Sequence, residues 1–317
     1  EGALTDEAFL EQTWRIHERL ETIFFHSLSQ VRQGLLCCVF DTSDVIQHEF
    51  WRYRAKDHPS LRGGAAGPDA IEEMYRRCDA LVGKVREKMG AQDLLFIVSD
   101  HGFKLFRRGV NLNTWLLENG YLALKNGGKG CGEWFDGVDW NRTRAYAFGL
   151  SGLYLNRKGR ERDGTVGAEE AAAVKEELIS KLTGLKDPEK GEEAICSVYD
   201  SERIYAGPYR ENAPDMIVGY RPGWRASWES VTGTVMSSVF SDNEKAWSAD
   251  HCIDFRFVPG VFFSSRKIAA AEPRIIDLAP TVLSLFGIEP PSYMDGVVLD
   301  VADGVAPTPR HLTNDKG

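Results

Sequence analysis

Long apolar runs are missing from this 317-residue chain. None approaches the roughly 18 consecutive apolar residues that would suggest a membrane-spanning helix, so no membrane partner is expected. A basic excess is missing too. The 38 Lys and Arg residues face 47 Asp and Glu, a net charge of −9, which argues against the clustered positive surface that duplex nucleic acid requires. Phosphate esters stay open as substrates, because a bound cation is a local positive centre whatever the overall balance. The six cysteines lack any C-x-x-C spacing. Cys37 and Cys38 sit inside an apolar run and point to opposite sides of a strand, so the cysteines read as reduced core thiols and favour a cytoplasmic setting. No signal peptide and no internal repeat is visible.

What remains is an ordinary globular composition, 43% hydrophobic and 27% charged. It is enough for one large α/β domain, or one carrying an insertion. Residues 6–31 predict a long amphipathic helix, with Leu10, Trp14, His17, Leu20, Phe24, Leu28 and Val31 recurring at intervals of three or four, Thr5 as N-cap and Gly34 beyond its end. Leu35 to Phe40 is an unbroken apolar run ending at Asp41, the pattern of a parallel strand buried on both faces. Pro68 opens a second helix to about Met89, and Leu94 to Val98 repeats the strand pattern. Strand, helix and strand together predict a right-handed βαβ crossover.

Further along, a short helix is expected at Leu112–Glu118, strands at Arg144–Phe148 and Leu153–Asn156, and a helix at Val166–Leu182. Later strands are expected at Ala194–Tyr199, Met216–Gly219 and Val258–Phe263, with a closing helix at Ile275–Phe286 stopped by Gly287. The expected division is a first core segment over 1–110, an insertion or cap over 111–191, a second core segment over 192–302 and a tail over 303–317.

Two of these strands run into clusters of acid and histidine. After Phe40 come Asp41, Thr42, Ser43, Asp44, Val45, Ile46, Gln47 and His48; after Val98 come Ser99, Asp100, His101 and Gly102. Ligands gather at the carboxyl ends of parallel strands, so both clusters are expected to face one crevice. On a helix, Asp44 and His48 stand one turn apart and can grip one cation together. His251, in Ser248-Ala249-Asp250-His251-Cys252, is a third contributor. Carboxylate and imidazole suit zinc, with manganese or iron as alternatives. Five ligands from three segments exceed one tetrahedral site and favour a binuclear centre. His17, His26, His58 and His311 read as ordinary. Thr42, Ser43 and Ser99 read as loop residues satisfying backbone donors.

The segments that carry this chemistry resemble a known family. Phe40 to Tyr53 and Leu94 to Phe103 look like two metal-binding segments of the alkaline phosphatase superfamily, close to its type I phosphodiesterase/nucleotide pyrophosphatase branch. Asn111 to Leu122 is similar to the stretch that follows in a predicted phosphohydrolase/phosphomutase group. Trp247 to His251 and Asp277 to Gly287 resemble the third metal segment and the closing helix. The resemblance runs in order from about residue 35 to 300.

It implies a three-layer α/β/α sandwich with a mostly parallel central sheet, and two divalent metal ions. Asp44, His48 and His251 would hold one ion; Asp100 and His101 would hold the other. The implied activity is a metal-dependent phosphoric ester hydrolase acting on a small-molecule phosphate ester by in-line displacement. A phosphomutase on the same scaffold and a non-catalytic metal-binding module are the rivals. In that family a further Asp and a Ser or Thr nucleophile come from an N-terminal strand that has no counterpart here. The expectation is therefore a chain lacking its nucleophile, poorly active unless an N-terminal segment is supplied, with an unpaired sheet edge where that strand would lie. Basic residues at Lys104, Arg107 and Arg108, and at Arg157, Lys158, Arg160 and Arg162, are candidate phosphate contacts or plain surface. Trp224, Trp228 and Trp247 are candidate base stackers or core.

Overall fold

The computed structural model describes residues 3–55, 57–61, 67–270 and 272–301; His311 and the tail expected over 303–317 lie outside them. The chain is a mixed α/β protein with several small sheets. It divides into two compact units, residues 1–82 with 103–258, and residues 83–102 with 259–317.

In the first unit, the periodic apolar residues near the N-terminus form the helix Asp6–Gln30, and the Thr5 hydroxyl caps it by accepting the Ala8 N–H at 3.3 Å. Leu10 on this helix packs with Ile46 and Phe50 of the helix Thr42–Phe50 and with Ala70, Ile71 and Met74 of the helix Ala70–Arg86. The site helix Thr42–Phe50 is thereby held by burial on its apolar side. Its polar residues are left for other work.

The strand Lys104–Val110 organises the sheet beside it. It pairs antiparallel with Phe240–Asp242 and with the two-residue strand Ala249–Asp250, and parallel with Gly223–Ala226. Leu105 lies opposite Ala249 and Lys104 opposite Asp250, a register that fixes the backbone just before His251. Gly109 is needed here, because a Cβ would stand 2.8 Å from the Ser227 Cβ. A second, antiparallel sheet runs in the order Ala145–Phe148, Gly152–Leu155, Met216–Tyr220, Ile195–Asp200. Leu153, Leu155, Met216 and Ile195 share its core with Val174, Leu178 and Leu182 of the helix Ala168–Leu182.

In the second unit, Phe96–Val98 pairs antiparallel with Phe262–Ser264. The 3-10 turn Ile275–Asp277 leads into the helix Leu278–Leu285, and Gly287 follows at φ +70°. The buried Asp277 carboxylate accepts the N–H groups of Arg274 and Val297, tying that helix to the chain's last described turn.

Four expectations are corrected. Leu35 to Phe40 is not a strand; Leu35 and Val39 are 64% and 76% exposed. An apolar run becomes a strand only when neighbours take its N–H and C=O groups, and among the described residues none pairs with it. Cys37 and Cys38 are consequently exposed rather than core thiols. The sheets are not mostly parallel: among the named strands of the described residues, only Lys104–Val110 with Gly223–Ala226 is a parallel pair. Phe96–Val98 finds an antiparallel partner far along the chain, so no βαβ crossover forms around it.

Candidate metal centre

In the first unit, Asp44, His48 and His251 come together. The helix Thr42–Phe50 sets Asp44 Oδ2 3.5 Å from His48 Nε2, the one-turn relation expected from their spacing. Asp44 Oδ1 lies 3.8 Å from His251 Nε2, and the two imidazole centroids are 5.3 Å apart. Ligand-capable atoms of Asp44 and His251 fall within 4.8 Å of each other.

His48 is 2% exposed and every side of it is fixed. Its Nδ1 lies 2.8 Å from the Ala249 carbonyl oxygen. A carbonyl only accepts, so Nδ1 carries the proton and Nε2 presents its lone pair toward Asp44. The ring stacks on Trp247 with centroids 3.6 Å apart and meets Phe103 edge-on at 4.8 Å. Burial holds its pKa below the ordinary 6.5, although the Ala249 hydrogen bond and the Asp44 charge oppose that shift. A neutral imidazole of fixed tautomer is what a metal ligand must be.

The helix and the loop are joined by backbone as well. The Ser248 N–H donates to the His48 carbonyl at 2.7 Å, and Ser248 Oγ accepts the Arg52 N–H at 2.9 Å. One orphan carbonyl near the helix C-terminus is satisfied by the loop that carries His251. Arg52 in turn donates to Asp6 Oδ2 at 2.5 Å, which ties the site helix to the start of the first helix.

Asp250 and Cys252 flank His251 and make a second possible ligand group with it. Asp250 is already committed: Oδ2 accepts from Arg225 Nε at 2.6 Å and Trp247 Nε1 at 2.9 Å, and Oδ1 accepts the N–H groups of His251 and Cys252, each at 2.8 Å. Burial alone would raise its pKa, but the Arg225 charge and these hydrogen bonds hold it at about 2. Burial and the Asp250 charge push the Cys252 thiol up to about 12. The donor set that fits a divalent cation in this unit is therefore one carboxylate, Asp44, with two imidazoles, His48 and His251.

In the second unit, Asp100 and His101 adjoin at the end of Phe96–Val98. Asp100 Oδ1 is 3.6 Å from His101 Nε2 and also accepts the His101 N–H at 3.1 Å. The Asp100 side chain is 74% exposed, so unlike Asp250 it is available. Ser99 Oγ accepts the Val261 N–H at 2.9 Å, and in the first unit Thr42 Oγ1 lies 2.8 Å from His17 Nδ1. Both hydroxyls thus serve structural contacts.

The basic candidates are largely structural. Arg108 is buried on Asp187, Glu189 and Asp242, Arg107 pairs with Asp57, and Arg157 and Arg160 both reach Asp215. Trp224 belongs to the core and donates to Asp187 at 3.2 Å. Residue patterns missed Arg225, Asp250 and the bracing role of Trp247. The only signal for Asp250 was its place before a histidine, and none pointed to Arg225.

Two comparisons bear on this arrangement. Among curated proteins none matches the chain. The model of one family, described as type I phosphodiesterase / nucleotide pyrophosphatase, matches residues 5–239. That span includes Asp44, His48, Asp100 and His101 and covers well over half of the sequence. The chain therefore belongs to the type I phosphodiesterase/nucleotide pyrophosphatase family, within the alkaline phosphatase superfamily.

Proposed function

We propose that this protein is a metal-dependent phosphoric ester hydrolase with a binuclear site, acting on diesters or nucleotide pyrophosphate bonds of small molecules. Asp44, His48 and His251 hold one divalent cation, and Asp100 with His101 contribute ligands to the other. Zinc is the first choice, manganese and iron the alternatives. The observation that carries the reading is the convergence of Asp44, His48 and His251 from segments far apart in sequence, with His48 locked in the tautomer that leaves Nε2 for a metal.

Bound cations would supply positive charge to phosphate oxygens and activate an oxygen nucleophile. The chain's own part is to hold the carboxylate and imidazoles rigid and neutral or anionic as required. Trp247 and Phe103 keep water from His48. No nucleophile is assigned, since Thr42 and Ser99 are committed elsewhere. The second reading, a non-catalytic metal-binding module, draws on the same commitments.

The deciding assay uses aryl phosphate mono- and diesters with zinc or manganese, on this chain and on a form extended at its N-terminus. Turnover of a diester that needs metal supports the hydrolase. An extended form that binds metal and turns over no ester with either cation would leave the binding module.

A further inference from the structure

We propose that Asp250 and Trp247 are positioning residues that set both imidazoles of the first-unit site, without themselves touching the metal. This deepens the metal reading above, and rests on it for the metal readout alone. Besides the contact between the two imidazole rings, the segment Trp247–His251 touches His48 in four ways. Trp247 stacks on the ring, Ser248 N–H and Oγ both donate to the His48 carbonyl, and the Ala249 carbonyl accepts a hydrogen bond from Nδ1–H. The same five residues end in His251. One short piece of backbone thus fixes one imidazole directly and carries the other.

What fixes that piece is Asp250. Its Oδ1 gathers the His251 and Cys252 N–H groups, bending the backbone around one carboxylate oxygen. Its Oδ2 takes the Trp247 indole N–H, so the plane stacked on His48 is pinned through the same side chain. The fourth contact, Arg225 Nε at 2.6 Å, anchors the carboxylate to the sheet. Arg225 itself has little freedom. It is 2% exposed, lies 4.6 Å over Phe106 and 4.3 Å over Trp228, and donates to the Ala226 carbonyl. The order of support runs from aromatic cage to Arg225, to Asp250, to Trp247 and His251, and from Trp247 to His48. Groups placed behind metal ligands in this way tune orientation and tautomer, and their loss typically lowers affinity by about 10–100-fold.

The test needs a readout that loss of stability alone would not move. In metal-free protein labelled with nitrogen-15 at histidine, at pH 8, nitrogen shifts report which ring nitrogen of His48 carries the proton. Wild type is expected to show the single Nδ1–H form. Trp247→Phe keeps an aromatic ring but loses the donor to Asp250, and Asp250→Asn loses the charge that gathers the loop. Both are expected to give mixed tautomers and to weaken zinc binding by about 10–100-fold. Asp254→Asn is the matched control. Asp254 is as buried and has its own partners, Tyr199, Cys196 and Arg256, none of them linked to His48. It should lower stability yet leave tautomer and zinc affinity as in wild type. The proposal is overturned if Trp247→Phe and Asp250→Asn keep the wild-type tautomer, or if Asp254→Asn disturbs it equally. A wild type with the fixed tautomer that binds no zinc overturns the metal reading and leaves the positioning claim standing.

Discussion

Asp250 and Arg225 form a buried ion pair, Oδ2 to Nε at 2.6 Å, with side chains 3% and 2% exposed. Removing one partner strands a charge in the interior, which costs more than the intact pair contributes. Arg225→Ala is expected to lower unfolding free energy by about 3–5 kcal/mol. The double change Arg225→Met with Asp250→Leu should recover much of that loss. Urea denaturation of the three proteins checks this; a single mutant as stable as wild type would show the pair is not desolvated.

Asp254 makes the molecule sensitive to acid. Burial by itself would raise its pKa, but Arg256, Tyr199 and backbone hydrogen bonds lower it from 3.8 to about 2. A carboxylate with a depressed folded value contributes stability that is full above its unfolded pKa and disappears as pH falls through the folded one. Roughly 2 kcal/mol should therefore be lost between about pH 4 and pH 2. Asp254→Asn should be less stable at neutral pH and should flatten the decline across that window. Equal slopes for both proteins in thermal melts would contradict the assignment.

Metal content tests the ligands one at a time. Asp44→Ala and His101→Ala are each expected to reduce bound zinc measured by elemental analysis, with circular dichroism unchanged. A folded variant with wild-type stoichiometry removes its residue from the site. Chelation should abolish ester hydrolysis by an active form, and added zinc should restore it.

Gly260 meets the end of the strand that precedes Asp100. A Cβ at this position would stand 2.2 Å from the Ser99 carbonyl oxygen, which is backbone and cannot rotate away. Gly260→Ala should destabilise the protein by about 1–3 kcal/mol and lower metal content, because Ser99 and Asp100 must shift together. A melting temperature equal to wild type would mean the strand end yields freely.

Local chemistry made much of this protein legible without coordinates. The helix over 6–30, its Thr5 cap, the short helix Leu112–Glu118 and the one-turn spacing of Asp44 and His48 follow from side-chain periodicity and capping, which act over a few residues. So does the choice of Asp and His as candidate ligands. Whether the apolar run 35–40 forms a strand, and whether its cysteines are covered, depends on distant partners for hydrogen bonds and burial, so only the tertiary structure decided it. The same holds for the two Asp-His dipeptides. They read alike in sequence, yet Asp100 is open to solvent and Asp250 is sealed against Arg225 and Trp247, because a carboxylate's availability is set by what folds against it.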